Sequence, residues 1–430
     1  MKTTGIVICN YNKCDYVLGC IQSVLESKTD DYDLYVVDNA STDDSVEKIQ
    51  ELYGDRLNLI VNEENLGGSG GFNTGIRKVV SAGYKYVWCL DNDVLVDEEA
   101  LSYLVKFLDE HEETGMVGSK VYHMENPDYV QQFGITIDFD ELCVEAKYLN
   151  EFEDGTMPEV VYSDAVAACS VLVRTSLIKE IGPMPEANFL YWDDTEWGYR
   201  CNRAGYKVAS YGKSKVLHAM GAKKESVNTF PVYYAWRNWI NFFIKYTPEE
   251  DMERVAETFI QSVFEIVYGG YYRGEYNKAK TVMYAYDDAL HGVYGKAPAD
   301  KIFDIDYNYS KLQKLVNGKE VIYIENTGHE ALGERVAEKI LDFNPGVKII
   351  YEPVEGVEPQ LFIKLCNYIF ALRVTEDKVV YIDEDENILS DSQDEIKVRN
   401  YNISKQAFMF SQKPLFMLLA DKLKNSGGNV

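Results

Sequence analysis

Two carboxylates spaced two residues apart, Asp91 and Asp93, close the apolar, β-prone run Tyr86-Val87-Trp88-Cys89-Leu90. On extended chain, side chains at that spacing point the same way, so the pair can share one divalent cation. Ligands of open α/β sheets collect at the carboxyl ends of strands, which is where this pair falls. A strand ending in a solvated Asx-turn explains the same residues equally well, because Asp and Asn favour turns. Asp38 closes a second such run, Val36-Val37, and can accept an N–H from a base or a hydroxyl from a ribose. For Asp38-Asn39-Ala40-Ser41 read alone, a helix cap is the simpler account.

The stretch Asn65-Leu66-Gly67-Gly68-Ser69-Gly70-Gly71-Phe72-Asn73 puts four glycines at a strand-to-helix junction. Backbone can approach a ligand closely there, and free N–H groups suit phosphate. The stretch is no Rossmann fingerprint, since the third glycine falls at Asn73, and no P-loop, since no Gly-Lys-Ser/Thr follows. A flexible cap on a helix start is an equal reading. Further on, Tyr191-Trp192-Asp193-Asp194-Thr195-Glu196-Trp197 crowds three acids onto a helix start, where the macrodipole favours them. Aromatic residues bracket these acids, and such walls exclude water and raise a carboxylate's pKa toward that of a general base. The physics alone does not separate Asp193 from Asp194. His218 follows Val216-Leu217 beside Lys213, Lys215, Lys223 and Lys224. A neutral imidazole there can complete a metal shell begun by Asp91 and Asp93, and the lysines can neutralise phosphate. A lone histidine is more commonly structural.

The elements that must position these residues alternate between strand and helix signals with short connections. That alternation predicts a mainly parallel sheet covered by helices. Strands are expected at residues 5–9, 34–37, 57–61, 86–91 and 116–122, and helices at 16–26, 46–53, 68–83 and 101–108. Antiparallel segments follow at 134–139 and 145–149, then a small-residue strand at 165–173, a helix at 192–204 and two short strands ending at His218. An aromatic helical region and a strand-helix-strand pattern complete the chain. The expected division is 1–228 for the site-bearing domain, 229–300 for a helical extension and 301–430 for a small C-terminal α/β domain without a recognisable motif. Residues 424–430 are expected to fray.

The 430 residues carry a formal net charge of −27 and eight cysteines without a CxxC pair. That length is too great for one ordinary core. The acidity excludes nucleic acid as a partner, which needs a basic stripe, and opposes broad electrostatic adhesion to an anionic membrane. Cysteines scattered through apolar runs behave as small hydrophobes and point to a reducing cytosol. No signal-peptide core follows Met1, and no apolar run reaches the roughly eighteen residues of a membrane span. A cytoplasmic protein is expected.

Taken in order, these motifs resemble those of glycosyltransferase family 2, an inverting family of GT-A fold, and within it the bacterial rhamnosyltransferases and galactofuranosyltransferases. The matching text is Ile8-Cys9-Asn10-Tyr11-Asn12, Val37-Asp38-Asn39-Ala40-Ser41-Thr42-Asp43, the glycine stretch from Asn65 to Asn73, Asp91-Asn92-Asp93 and Trp192-Asp193-Asp194-Thr195-Glu196. It spans residues 1 to about 220, and Tyr233-Tyr234-Ala235-Trp236-Arg237-Asn238 extends it to about residue 297. The resemblance implies a GT-A (nucleotide-diphospho-sugar transferase) fold with a mostly parallel central sheet over residues 1–228. It also implies a metal-dependent hexosyltransferase that moves a sugar, rhamnose or galactofuranose, from a UDP- or dTDP-linked donor. The acceptor is a glycan or lipid-linked glycan in cell-surface polysaccharide synthesis. By motif position, Asn10 and Asp38 hold the base and ribose. The loop with Asn65, Gly70, Gly71 and Asn73 lines the nucleotide-sugar site, with Arg77 beside it. Asp91 and Asp93 bind Mg²⁺ or Mn²⁺ on the diphosphate, His218 is a further metal ligand, and Asp194 is the catalytic base.

The chemistry agrees with these roles. A departing diphosphate needs its charge neutralised, and a single carboxylate taking the acceptor's proton gives one displacement and inversion. A hydrolase would want two carboxylates flanking the bond. Two other classes fit parts of the pattern. The Trp-Asp-Asp-Thr-Glu motif counts against a nucleotidyltransferase. Intact Asp91, Asp93, Asp194 and His218 count against a catalytically silent module that binds glycan or a partner protein. The aromatic helices after Pro231 offer a surface for a second copy, for a lipid-linked acceptor or for peripheral contact with the inner face of the plasma membrane. Burial in a core accounts for them as well.

Overall fold

Strands β1 (Thr4–Asn10), β2 (Tyr32–Asp38), β3 (Asn58–Val61) and β4 (Tyr86–Asp91) run parallel in the order β3-β2-β1-β4 in the computed structural model, which describes residues 2–219 and 227–425. β1 and β4 are apolar and buried almost throughout, as strands covered on both faces must be. The crossovers between them are α1 (Cys14–Leu25), α2 (Ser45–Tyr53) and α3 (Gly67–Ala82). One core lies under α1 and α2 against Ile6, Ile8 and Trp88, and the other under α3 against Val7, Val37 and Val87. The alternation of these residues along β1 shows the pleat feeding both faces.

The sheet continues through a short β5 (Val94–Val96), α4 (Ala100–Glu110) and β6 (Thr114–His123). The next strands, β7 (Tyr129–Gln132), β8 (Ile135–Asp138), β9 (Cys143–Ala146), β10 (Glu151–Phe152) and β11 (Val160–Ser163), are short. β12 (Ser170–Arg174) then inserts antiparallel between β4 and β6. After α5 (Thr175–Ile181) and α6 (Asp193–Arg203), β13 (Lys207–His218) lies parallel to β6 and pairs its end antiparallel with β5.

Two expectations are corrected here. The strand expected at 165–173 begins only at Ser170, because residues 168–169 form a turn ahead of it, where Cys169 O accepts the Asp91 N–H at 3.3 Å. The two short strands expected before His218 are one strand whose register with β6 breaks between Tyr211 and Lys215. Gly212 sits in that break and donates its N–H to Glu159 O instead, as glycine within a strand commonly does at a bulge.

Beyond Asn228 come the helices α7 (Phe230–Tyr246), α8 (Met252–Arg273) and α9 (Tyr276–Leu290), which bury Phe242, Phe243, Phe259, Val263 and Val282 together. Then α10 (Ser310–Val316), β14 (Val321–Glu325), α11 (Glu330–Phe343), β15 (Lys348–Ile350), β16 (Leu361–Cys366), β17 (Val379–Asp383) and β18 (Ile388–Leu389) build a second sheet in the order β15-β14-β16-β17-β18. The last element, α12 (Ser392–Asn425), leaves this sheet and returns to the helices, where Phe416 and Ala420 join their core. Among the described residues no helix is long and apolar enough to cross a membrane. Lys223 and Lys224 lie outside the described residues, as do 426–430 of the tail expected to fray.

Candidate functional site

Asp91 is the last residue of β4, and a tight turn carries Asp93 to the start of β5. β5 pairs with the end of β13 in a register that sets Val94 opposite His218, and this pairing delivers the histidine to the aspartates. His218 Nε2 lies 3.3 Å from Asp93 Oδ1 and 3.8 Å from Asp91 Oδ2, and all three ligand atoms fall within 4.8 Å of one another. The other ring nitrogen, Nδ1, is 2.7 Å from the amide oxygen of Gln131, which reaches it across β6. That acceptor puts the proton on Nδ1 and turns Nε2 toward the carboxylates, the arrangement that supports a metal-ligating histidine. Two hard oxygens and an imidazole converging in this way fit Mg²⁺ or Mn²⁺.

Lys13 Nζ also reaches Asp93, at 2.6 Å. Burial would raise Asp93, but His218 and Lys13 outweigh it and hold this carboxyl well below the usual range. At Asp91 burial dominates and pushes the group up to about 6, with His218 pulling against it and Asp93 adding. For His218 burial works downward, and the hydrogen bond to Asp93 and the charges of both aspartates overcome it and raise the imidazole.

Asn10 and Asp38 end adjacent strands in register and are wholly buried. A directed row of hydrogen bonds joins them to the aspartate turn. Asn92 Nδ2 donates to Asn10 Oδ1 at 2.8 Å, Asn10 Nδ2 donates to Asp38 Oδ1 at 3.0 Å, and Ser41 N donates to Asp38 Oδ2 at 2.8 Å. The three strand ends singled out by the sequence therefore form one floor.

The glycine stretch has a packing role of its own. Residues from Gly67 onward are already helical, and their glycines serve packing. A Cβ on Gly71 would come 2.4 Å from Cys9 Sγ, and one on Gly75 2.4 Å from Val7 Cγ1, so α3 can lie this close to β1 only without side chains there. Two of its N–H groups are engaged within the chain, Gly67 N by Asn65 Oδ1 at 2.8 Å and Gly68 N by Phe189 O at 2.7 Å. A Cβ on Gly70 would press on Leu66. Asn73 spends its amide on Met184 O, Met184 N and Glu186 Oε1, and Arg77 also pairs with Glu186. These two side chains anchor the loop at 184–186 rather than the floor.

Asp193 and Asp194 open α6. Burial raises both carboxyls, and at Asp193 the charge of Asp194 adds to it. Backbone N–H groups offset this at both, those of Asp193 and Asp194 at Asp193 and those of Thr195 at 2.7 Å and Ala168 at 3.3 Å at Asp194, and the Ala168 donor reaches Asp194 from another segment. Of two neighbours that resist ionising together, Asp194 is thus the better holder of the charge, a distinction absent from the sequence. Ala168 precedes Cys169, whose carbonyl holds Asp91, so one short segment ties this acid to the aspartate turn. Glu196 is turned away from the site and bonded to Asn188, Lys245 and Tyr246.

The loop entering α6 is strained: Phe189, Tyr191 and Trp192 have φ of 63°, 62° and 66°. Such backbone costs of order 1–3 kcal/mol per residue and persists only where the surroundings over-determine it. α7 supplies that constraint. Asn238 Nδ2 donates to the carbonyls of Asn188, Leu190 and Tyr191 at 2.9, 2.8 and 3.1 Å. Arg237, wholly buried between the rings of Tyr233 and Tyr234, donates to Asn188 O at 3.0 Å and Gly295 O at 2.7 Å. Sequence reasoning noticed this Arg-Asn pair only as part of an aromatic helix. It missed Lys13, Asn92 and Gln131, of which only Asn92, inside the Asp-Asn-Asp run, carried a local signal.

Residues 5–176 match the family model described as Glycosyl transferase family 2. The chain is 25% identical over 183 residues to a teichoic acid poly(glycerol phosphate) polymerase of Staphylococcus epidermidis, covering 42% of this chain and 23% of that protein. It is 22% identical over 202 residues to galactofuranosyltransferase GlfT2 of Mycolicibacterium smegmatis, covering 43% of this chain and 31% of that protein. The matches thus span less than a third of either relative's length. Among solved structures, a mannosyltransferase from Pyrobaculum calidifontis in complex with GDP-Man and Mn²⁺ aligns over 67% of this chain and 70% of that one, with a TM-score of 0.39 and 17% identity.

Proposed function

We propose that this chain, whose residues 5–176 match the model of glycosyltransferase family 2, is a GT-A glycosyltransferase of that family and transfers a sugar from a nucleoside-diphosphate donor to an acceptor glycan of the bacterial cell surface, with inversion. The carrying observation is the convergence of Asp91, Asp93 and His218 at one end of a floor whose other end is Asn10 and Asp38, with Asp194 tied to it through residues 168–169. In this reading Asp38 and Asn10 orient the base and ribose. Asp91, Asp93 and His218 would hold Mg²⁺ or Mn²⁺, which when bound would supply Lewis-acid neutralisation of the leaving diphosphate's charge. Asp194 Oδ takes the proton of the attacking acceptor hydroxyl as the new glycosidic bond forms. With a single base taking the acceptor's proton, the anomeric carbon is displaced once and inverts. Asn73 and Arg77 act indirectly, by fixing the loop that leads to Asp194.

Rhamnose or galactofuranose from a UDP- or dTDP-linked donor is the proposed cargo. The galactofuranosyl and teichoic acid relatives support a surface polymer as the destination. Catalysis would reside in residues 1–228, with residues 229–300 bracing the base-bearing loop and the work done at the inner face of the plasma membrane. The test is thermal denaturation with a panel of UDP- and dTDP-sugars, with and without Mn²⁺. A donor at about 100 times its Kd adds roughly 2.7 kcal/mol of stability by linkage. One donor is expected to raise Tm only when metal is present. Indifference to every nucleotide sugar, or an identical rise in EDTA, refutes the assignment.

A further inference from the structure

The described lysines nearest His218 in sequence do not face the aspartates. Along the end of β13, Ser214 and Val216 share the side of His218 and are buried, whereas Lys213 and Lys215 are exposed. The pleat therefore turns these two ammonium groups to the opposite face of the sheet. There Lys213 Nζ pairs with Glu159 at 3.1 Å, and Lys215 Nζ lies 5.9 Å from the centre of the Tyr122 ring. The ammonium that does reach the site comes from another element. Lys13, the residue ahead of α1, places Nζ 2.6 Å from Asp93 Oδ2.

Lys13 is placed to hold an anion beside the aspartates. Its side chain is 36% exposed and that of Asp93 3%, so the ammonium lies on the solvent side of a buried carboxylate. An ammonium has three N–H donors, and among the described residues Asp93 is the one hydrogen-bond acceptor Lys13 has. Lys13 takes Asp93 by Oδ2, while His218 faces Oδ1 at 3.3 Å, so the lysine does not occupy the oxygen turned to the histidine. The segment that carries it is pinned to the loop after Asp38. Thr42 N donates to Asn12 Oδ1 at 2.7 Å, and Asn12 N donates to Ser41 Oγ at 2.9 Å. Lys13 thus bridges the Asp38 end of the floor and its Asp93 end, the two points that a nucleoside diphosphate bound as proposed above must span. Charge favours the same role. Two carboxylates equal the charge of a divalent ion, so the diphosphate's own charge calls for a further cation. We propose, resting on that function, that Lys13 binds the diphosphate of the donor and supplies this positive charge.

Isothermal titration of the full chain in saturating Mn²⁺ tests this, with UDP set against UMP and dTDP against dTMP. The wild type is expected to bind one diphosphate more tightly than its monophosphate. Lys13→Met should weaken that diphosphate by about 10- to 100-fold, the effect of a hydrogen bond to a charged group, and leave the monophosphate near wild type. Mn²⁺ titrated alone should bind the variant no more weakly. Should Lys13→Met fail to fold, Lys13→Gln, which can still donate to Asp93 without the charge, is titrated in its place and the same losses are expected. Unaltered diphosphate affinity in a folded variant overturns the proposal, as does equal weakening of diphosphate and monophosphate. A parallel loss of Mn²⁺ affinity confines Lys13 to supporting Asp93 and overturns it too. A wild type that binds neither diphosphate in Mn²⁺ overturns the donor reading itself, and the role of Lys13 with it.

Discussion

Replacing Asn238 with alanine should separate the machinery that holds the donor from the machinery that moves the proton. The amide of Asn238 donates to three carbonyls of the loop ahead of Asp193 and accepts from Arg237 Nε at 3.0 Å. In Asn238→Ala these buried carbonyls lose their donor, at about 1–3 kcal/mol for each group left unsatisfied and less where Arg237 still serves Asn188 O. Relaxation of Phe189, Tyr191 and Trp192 out of positive φ returns part of this, since their strain is of similar size. A net loss of roughly 2–4 kcal/mol is expected, readable as a lower urea midpoint with an unchanged m-value. The relaxed loop no longer fixes the start of α6, and misplacement by about 1 Å can cost on the order of 100-fold in rate. Below the new midpoint, kcat for transfer should therefore fall by about that factor. Metal-dependent donor affinity, assigned in the proposed mechanism to Asp91, Asp93 and His218, should stay near wild type. A stable Asn238→Ala with wild-type kcat would show that the loop keeps its own shape. A destabilised variant with full kcat would confine Asn238 to folding.

Three other outcomes follow from the site. Asp194→Asn should lower transfer by about 100- to 10,000-fold, the range of general-base catalysis, while the Mn²⁺-dependent rise in Tm with donor persists. Loss of that rise would place Asp194 in donor binding. Gln131→Leu frees the His218 ring and should weaken Mn²⁺ by about 10- to 100-fold in isothermal titration, leaving Tm without metal little changed. Unaltered affinity would remove the histidine from the metal shell. Asp91, raised to about 6, must be deprotonated to bind metal. Apparent Mn²⁺ affinity should hence fall with pH in two steps, the upper as His218, raised above the ordinary imidazole value, takes a proton and the lower through about 6 at Asp91, and Asp91→Asn should remove only the lower step.

What the sequence disclosed and withheld follows from the range of each interaction. Asp38 and Asp91 were legible because a strand and its final acid are one local pattern, and parallel topology then puts such ends side by side. His218 could be suspected, but its meeting with Asp93 depends on β5 pairing with β13 across more than a hundred residues of chain. Gln131 carried no signal, since a glutamine on a short strand says nothing of a ring two strands away. The glycine stretch was ambiguous, because glycine that admits a ligand and glycine that admits a sheet, as Gly71 does, look alike in one sequence. α12 escaped notice because apolar residues on both faces erase the one-sided period that betrays a surface helix, and Pro414 argues locally against helix.

The row from Asn92 through Asn10 to Asp38 has a polarity. A carboxylate can only accept, so Asn10 must aim its NH₂ at Asp38, which leaves its oxygen for Asn92, which must then present its own NH₂. Neither amide is free to flip, and the turn between Asp91 and Asp93 takes its orientation from an acid on another strand. Exchange of Asp38 for asparagine would lift that rule without removing a single heavy atom from the row. Both amides could then reverse, and the error would surface at the far end, in the aim of Asp91 and Asp93.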